Sequence, residues 1–174
     1  MSKDLTTSQI DRQNILNNDL AVNEIQNQTG IQGIIFDGRL RFTKSMVATY
    51  FNVDVRTIER YVSDNSDEIT ANGYEILKGK KLKEFMDCVI AQDVPDINVG
   101  NISNRTPQIA IFDFKAFLNM AMLLAESENA KVLRQIMLDI VIDFVNQRRS
   151  VANGRNQLYW EYPKVCVNLQ TDVR

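Results

Sequence analysis

The sequence predicts an α+β fold that is mainly helical, with a small β-hairpin or sheet and a C-terminal helical pair. Three observations predict this class. Apolar residues recur at helical spacing between positions 113 and 147. The dipeptide Asp37-Gly38 separates two short β-rich runs, as expected of a tight hairpin turn. Residues 43–62 fit two short capped helices joined by a sharp turn.

The 174 residues are enough for one domain with appendages. Composition is ordinary for a globular protein, with 44% hydrophobic and 24% charged residues. We expect a helical extension over 1–29, a central unit over 30–112 with a long exposed loop near 92–107, and a helical pair over 113–147 packed on the same domain. A tail follows over 148–174.

The N-terminal extension is predicted to be helical in two pieces between residues 6 and 28. Ile10, Leu16 and Leu20 would form one apolar stripe, and Val22 and Ile25 another. Its many Asn and Gln residues make it marginal as an isolated helix. We expect it to pack on the body of the domain, with a second subunit as the alternative.

The first β-hairpin is predicted at residues 33–42, around the Asp37-Gly38 turn. Its alternation assigns Arg39 and Arg41 to the solvent face. The apolar face would be formed by Ile34, Phe36, Leu40 and Phe42.

The stretch TKSMVATYFNVDVRTIERYV, residues 43–62, reads as a helix-turn-helix. Ala48 is small enough for close approach of the second helix, Asn52 tolerates a left-handed bend, and Ile58 points back onto the first helix. Thr43 and Asp54 are suitable N-caps. The alternative is an ordinary helical hairpin packed in a core.

The second helix of this hairpin leaves one face outward, and the recognition helix of such a unit presents its early residues to base edges. The outward residues are Arg56, Thr57, Glu59, Arg60 and Tyr61.

A polar loop is expected over 63–73, then a strand over 74–77, a turn at Lys78-Gly79-Lys80 and a short helix around 82–86. A strand over 109–112 could pair with 74–77 as a wing, which predicts a winged helix-turn-helix. The neighbouring lysines would clamp phosphate, or alternatively serve as a solubilising loop.

Two helices are predicted near the C-terminal end. Asp113 would cap a helix over 114–126, and Ser127 would cap another running to about residue 146. The apolar stripe from Val132 to Val145 is wide, so this last helix is expected to be buried on more than one side, in the core or at a dimer interface. The tail, with its aromatic Tyr159, Trp160 and Tyr162, is expected either to lie on the body as a strand or to be loosely ordered.

Composition argues against catalysis. The chain has no histidine, which removes Ser/His and Cys/His nucleophilic pairs and His-containing zinc sites. Cys88 and Cys166 are expected to be free thiols in a reducing cytoplasm, and no glycine-rich phosphate loop occurs. No apolar run reaches membrane-spanning length, and the N-terminus carries no secretory signal. We therefore expect a cytoplasmic protein without enzyme activity, metal, cofactor or small-molecule substrate.

Charge is distributed unevenly along the chain. The net charge is −2, but residues 38–84 carry nine Lys and Arg against seven Asp and Glu, so this segment is +2 and the remainder −4. The sign is right for one basic face on an acidic body.

The order of these segments resembles a known type of protein. The DG hairpin is followed by FTKSMVATYFNVDVRTIERYV, GYEILKGKKLKEF and IAIFDFKAFLNMAMLLAESENAKVLRQIMLDIVIDFV. Over about residues 30–146 this resembles the DNA-binding module of RhuM-type proteins of bacterial genomic islands, which are similar to phage antirepressor-like proteins. The resemblance implies DNA binding in a prokaryotic or phage context.

We therefore expect a sequence-specific protein that binds double-stranded DNA and regulates transcription. We expect it to be located with the nucleoid. A homodimer would be compatible with this function. The residues expected to touch DNA are Arg56, Thr57, Arg60 and Tyr61 for bases or adjacent phosphates, Thr43, Lys44, Arg39 and Arg41 for the backbone, and Lys78, Lys80, Lys81 and Lys83 for the wing. The alternative is a protein–protein interaction module of antirepressor or adaptor type, which would not itself read DNA.

Overall fold

The computed structural model describes residues 4–92 and 107–152 of the chain. These residues form a mainly helical α+β fold with one small antiparallel sheet, which confirms the α+β, mainly helical part of the predicted fold class. The elements are, in chain order, α1 (Gln9–Leu16), α2 (Asp19–Thr29), β1 (Ile34–Phe36), β2 (Arg39–Thr43), α3 (Lys44–Phe51), α4 (Val55–Asp64), α5 (Ser66–Ala71), β3 (Tyr74–Lys78), α6 (Gly79–Gln92), β4 (Gln108–Asp113), α7 (Phe114–Leu123) and α8 (Glu128–Ala152). The expected long loop near 92–107 and the tail beyond Ala152 lie almost entirely outside the described residues.

The sheet has the strand order β1-β2-β4-β3, and every neighbouring pair is antiparallel. The predicted pairing of 74–77 with 109–112 is confirmed, with Tyr74 opposite Phe112. The expected turn and short helix after β3 are wrong in their bounds. Gly79, with φ +55°, turns the chain directly into the 14-residue helix α6.

The β1–β2 hairpin forms as predicted, and Asp37 and Gly38 both adopt positive φ values of 51° and 69°. Two left-handed residues define the tight turn that suits twisted strands. The predicted faces are wrong, because Ile34 pairs with Arg41 and Phe36 with Arg39. Paired residues share a face. The predicted faces counted every second residue straight through the two-residue turn. This count places the side chains of β2 on the incorrect face of the sheet.

Helices cover both faces of the sheet. On one face, α6 packs through Phe85, whose ring meets that of Phe36 edge-on at 5.2 Å. On the other face, α7 packs through Phe117, which stacks on Phe42 at 4.5 Å and on Phe51 of α3 at 5.0 Å. The α3–α4 hairpin is thus mounted on the same side of the sheet as the central helix α7.

The N-terminal extension packs on the body, as expected. Leu16, Val22 and Ile25 are buried in the main core. The predicted stripe is wrong at Ile10 and Leu20, which are 76% and 53% exposed. The break at Asn17–Asn18 restarts the helical phase, so a stripe drawn across both pieces does not stay on one face.

The segment 63–73 is not a loop, contrary to the prediction. α4 continues to Asp64, and α5 follows at once. Glu68 of α5 forms a buried bidentate ion pair with Arg12 of α1, with both nitrogen–oxygen distances 2.7 Å. Ile69 beside it is fully buried. Tertiary contacts therefore stabilise a helix that its polar, turn-forming composition does not indicate.

The C-terminal pair begins as predicted. Asp113 caps α7 by accepting a hydrogen bond from the Phe114 N–H, and the Ser127 hydroxyl accepts from Ala130 N–H at the start of α8. α7 is the centre of the core, and α8 buries Leu133 and Met137 along one side.

Candidate functional site

The turn between α3 and α4 has the geometry expected of a helix-turn-helix. Asn52 ends α3 in the left-handed conformation, with φ 50° and ψ 51°. The N–H of Val53 donates to the Ala48 carbonyl at 3.0 Å, and that of Asn52 donates to the Thr49 carbonyl at 3.2 Å. This pair of bonds is a Schellman cap, which closes a helix and turns the chain sharply.

The predicted packing of the hairpin is confirmed at Ala48 and Ile58. Ala48 and Phe51 of α3 are buried, and Ile58 of α4 is completely buried against them. Both caps form: the Thr43 hydroxyl accepts from the Met46 N–H, and the Asp54 carboxylate accepts from the Arg56 N–H at 2.7 Å. The position and orientation of α4 relative to α3 are therefore determined by residues within the hairpin itself.

The outward face of α4 has mixed charge. Arg56, Glu59 and Arg60 are exposed, whereas Thr57 and Tyr61 are half-buried. The Glu59 carboxylate binds Lys44 of α3 at 2.6 Å. Among the described residues Arg56 makes no ion pair, so its charge is the one on this face that remains open to an external anion.

Arg60 and Tyr61 share one partner that the sequence did not indicate. Glu126, between α7 and α8, accepts from Arg60 Nη2 at 3.1 Å and from the Tyr61 hydroxyl at 2.6 Å, using a different carboxylate oxygen for each. The Arg60 guanidinium also lies over the Tyr61 ring, 5.3 Å from its centre. These contacts hold two of the predicted base-reading side chains together.

The contact is reflected in the acidity of both partners. The hydrogen bond from Tyr61 lowers the pKa of the Glu126 carboxyl below its usual value, because it stabilises the ionised form. Burial raises the pKa of Tyr61, and the hydrogen bond to Glu126 raises it further. Both shifts favour an ionised Glu126 facing a protonated Tyr61.

The segment containing Glu126 also supports the end of α3. The Ser127 hydroxyl donates to the Phe51 carbonyl and Asn129 Nδ2 donates to the Tyr50 carbonyl, both at 2.7 Å. We call residues 126–129 the brace, because they contact both helices of the hairpin. Sequence reasoning identified Ser127 only as a helix cap, and included the run AESEN only within the family resemblance.

The brace is itself anchored to the helices on either side. Arg134 of α8 donates to the carbonyls of Ala121 and Leu124, both at 2.7 Å, and so satisfies the C-terminal end of α7. Ala130 N–H bonds to the Ser127 hydroxyl. The brace thus joins the hairpin to α7 and α8.

Two of the residues predicted to hold the DNA backbone are buried instead. Arg41 is 6% exposed, with its guanidinium 3.2 Å from Glu75 and 4.0 Å from Asp113. The predicted solvent-facing position of Arg41 is wrong because its strand register places it beside Ile34. Thr43 is also buried, and its hydroxyl is used in the α3 cap. Arg39 remains exposed, 3.5 Å from Asp113.

The structure divides the predicted lysines between two regions. Lys44 lies at the start of α3, close to Glu59. Lys81 binds Glu75, on the sheet face covered by α6, and Lys80 pairs with Glu84 within α6. Lys78 ends β3 and, like Lys83 of α6, is exposed. Lys80 and Lys81 therefore belong to the opposite side of the sheet from the hairpin.

A polar pocket of about 500 Å³ lies where α2, the β1–β2 turn and the start of α7 meet, a feature the sequence did not indicate. Its polar lining includes Asn23, Gln26, Arg39, Asn72, Asp113 and Lys115. Over the described part of the chain, no cluster of three or more His, Cys, Asp or Glu residues could hold a metal ion.

Comparisons with protein-family models, with curated proteins and with solved structures find no match to this chain. Within residues 4–92 and 107–152, no helix has the combined length and apolarity required to cross a bilayer.

Proposed function

We propose that this chain is a sequence-specific DNA-binding protein of the winged helix-turn-helix class that regulates transcription in a prokaryotic mobile element or genomic island. α4 would be the recognition helix, and Arg56, Thr57, Arg60 and Tyr61 would contact bases or adjacent phosphates. Lys44, Arg39 and Lys78 remain candidate backbone contacts, whereas Arg41 and Thr43 are buried and could not reach DNA.

The observation that carries the proposal is the α3–α4 hairpin. Its left-handed Asn52, Schellman cap and buried Ile58 turn a short helix outward. Arg56 in the first turn of that helix has no ion pair with any residue that the structure describes. A recognition helix meets base edges with its N-terminal residues, and arginine is the side chain that most often reads guanine. The resemblance to RhuM-type modules points the same way.

The wing in this proposal is the β3–β4 pair. The two strands follow the recognition helix in the chain, as wing strands do, but they are joined through α6 and the residues after it. Lys78 at the end of β3 is the exposed cation closest to the strand tip.

The test is selection of sites from random-sequence duplex DNA, with affinities measured at two salt concentrations. We expect salt-sensitive binding and an enriched motif, and a palindromic motif would indicate a dimer. Arg60→Ala should weaken binding by about 1–3 kcal/mol and relax the preference at one base pair. Absence of binding at low salt would reject the proposal for this chain.

A second candidate is a protein–protein interaction module of antirepressor or adaptor type, and one observation favours it. Leu138, Val141, Ile142 and Val145 of α8 follow the spacing i, i+3, i+4 and i+7. Leu138 and Val141 are half-buried and pack against the core, so the outward part of this stripe is Ile142 and Val145. Ile142 and Val145 are 54% and 42% exposed. Such a stripe is typical of helix–helix contact surfaces.

Sedimentation of the wild type and of Ile142→Ser distinguishes this candidate. The control is Val132→Ser, which is equally exposed but does not share the spacing of Leu138, Val141, Ile142 and Val145. Self-association abolished only by Ile142→Ser would identify the stripe as an interface between copies. If the wild type is monomeric and also fails to bind DNA, the stripe would be a contact surface for a different protein.

A further inference from the structure

The side chains of Arg60 and Tyr61 are held from outside the recognition helix by Glu126. Its two carboxylate oxygens are used separately, Oε1 by Arg60 and Oε2 by the Tyr61 hydroxyl. A carboxylate offers two acceptors in fixed geometry, whereas a carboxamide offers one. Glu126 is therefore suited to hold both side chains at once.

The contact is too exposed to matter much for stability. The Arg60 and Glu126 side chains are 62% and 46% exposed. Ion pairs in water contribute little, because solvent screens them and two flexible side chains must be ordered. The main effect of Glu126 is therefore on the orientation of the Arg60 and Tyr61 side chains on the surface of α4.

The backbone position of Glu126 is well defined. The next residue, Ser127, is buried and bonds to the Phe51 carbonyl at 2.7 Å, and the preceding Leu124 carbonyl accepts from Arg134. The brace therefore fixes the carboxylate relative to the end of α3 as well as relative to α4.

We infer that Glu126 is a positioning residue that orients Arg60 to read a guanine, an inference that rests on the proposed DNA-binding function. A guanidinium has five N–H donors, and Glu126 takes one of those on Nη2. The other donors bond to no residue that the structure describes, so they are available to the O6 and N7 acceptors of guanine, the commonest specific contact of arginine. Holding the side chain before binding reduces the entropy lost on contact.

Glu126 has a second, opposite effect. Its ionised carboxylate lies beside the proposed DNA surface and repels phosphate, irrespective of base sequence. Removal of the charge should therefore raise affinity for unrelated DNA, while loss of the orienting contact lowers discrimination at the guanine. A residue with only a structural role would not move these two quantities in opposite directions.

The experiment compares wild type, Glu126→Gln and the control Glu128→Gln on three duplexes: the selected site, the same site with one base pair replaced, and an unrelated sequence. The replaced base pair is the one at which the Arg60→Ala variant no longer prefers the selected base. Glu128 is two residues away, is 84% exposed and pairs with Lys131 instead of α4.

We expect Glu126→Gln to reduce discrimination at that pair on the order of tenfold, and to raise the affinity for the unrelated duplex above that of wild type. Glu128→Gln should leave discrimination unchanged. Tyr61→Phe, which keeps the ring and removes one of the two contacts, should lower discrimination to a smaller extent, and it provides the same test if Glu126→Gln does not fold.

An unchanged discrimination ratio in both Glu126→Gln and Tyr61→Phe would overturn the inference, as would an equal change on all three duplexes. These outcomes presuppose a wild type that binds DNA. Failure of the proposed function is recognised separately, because the wild type would then bind none of the three duplexes.

Discussion

At the scale of single residues, Asn52 shows how much of the hairpin follows from local chemistry. The sequence predicted a left-handed residue at this position, and its φ of 50° confirms it. The predicted caps at Thr43, Asp54, Asp113 and Ser127 are confirmed for the same reason. Each depends on backbone groups within three residues, so a linear sequence contains the whole interaction.

Position 52 should tolerate glycine but not alanine, because its backbone is left-handed. Asn52→Ala is expected to lower the free energy of unfolding by about 1–2 kcal/mol, because alanine resists the left-handed conformation, whereas Asn52→Gly should have little effect. Denaturant unfolding measures both. Asn27→Ala, on the exposed face of α2, is the control and should not destabilise. Equal stability of Asn52→Ala and wild type would contradict the strain argument.

The contact between Tyr61 and Glu126 predicts a dependence on pH. The pKa of Glu126 is lowered in the folded protein, so the contact is fully present above the usual glutamate range and is lost as the pH falls through the lowered value. Nuclear magnetic resonance titration of the carboxyl group should show the lowered pKa. Tyr61→Phe should return it toward the usual range, because the tyrosine hydroxyl is the largest cause.

Tyr50→Phe is the control for this titration. Tyr50 packs against the rings of Phe51 and Phe117 and makes no hydrogen bond to Glu126 in the described contacts. A Glu126 pKa that is the same in Tyr61→Phe as in wild type would show that the hydroxyl is not the cause of the shift.

At the scale of elements, the sequence predicted the location of most helices and strands. It predicted less well which side chains of those elements are buried and which are exposed. The β1–β2 strands and their turn were located correctly, but Arg41 was assigned to solvent and is buried. The six-residue helix α5 was missed altogether. This helix is stabilised by the ion pair of Glu68 with Arg12, which lies 56 residues earlier in the chain. The local sequence pattern around residues 66–71 does not indicate that partner.

The pair between Arg12 and Glu68 joins α1 to α5 and should be costly to break. Both side chains are about 5% exposed, and Arg12 Nη1 also donates to the Leu5 carbonyl at 2.9 Å. Glu68→Ala is expected to lower the free energy of unfolding by about 3–5 kcal/mol, because it leaves a buried guanidinium unpaired. The measurement is denaturant unfolding monitored by circular dichroism.

The double variant Arg12→Met with Glu68→Leu provides the control for this pair. Apolar residues of similar size remove both charges together, so much of the lost stability should return. Strictly additive effects of the two single substitutions would indicate that the residues do not interact in solution.

At the scale of the whole molecule, the candidate site could be predicted only in part. The hairpin itself was predicted, since its turn, caps and packing positions lie within about twenty residues. The brace was not, because its contacts join residues 65–79 positions apart. The division of the lysines between the two sides of the sheet also depends on strand register, which the sequence does not display.

Under the proposed function, this division of the lysines predicts how salt would affect DNA binding. Arg56→Ala should flatten the dependence of log affinity on log salt by about 0.9, the contribution of one phosphate contact. Lys81→Ala is the matched control, because Lys81 pairs with Glu75 on the far side of the sheet and should leave the slope unchanged. Affinity measured across a series of salt concentrations checks both. Flattening by Lys81→Ala alone would mean that α6, and not α4, faces the DNA.

Under the proposed function, the brace would also limit how the DNA target can change over evolutionary time. Replacement of Arg60 and Tyr61 alone would leave the Glu126 carboxylate without partners beside the new surface. A lineage that acquires a different binding site is therefore expected to change position 126 together with positions 60 and 61. An engineer who transplants another recognition helix into this scaffold would have to redesign the segment 126–129 with it.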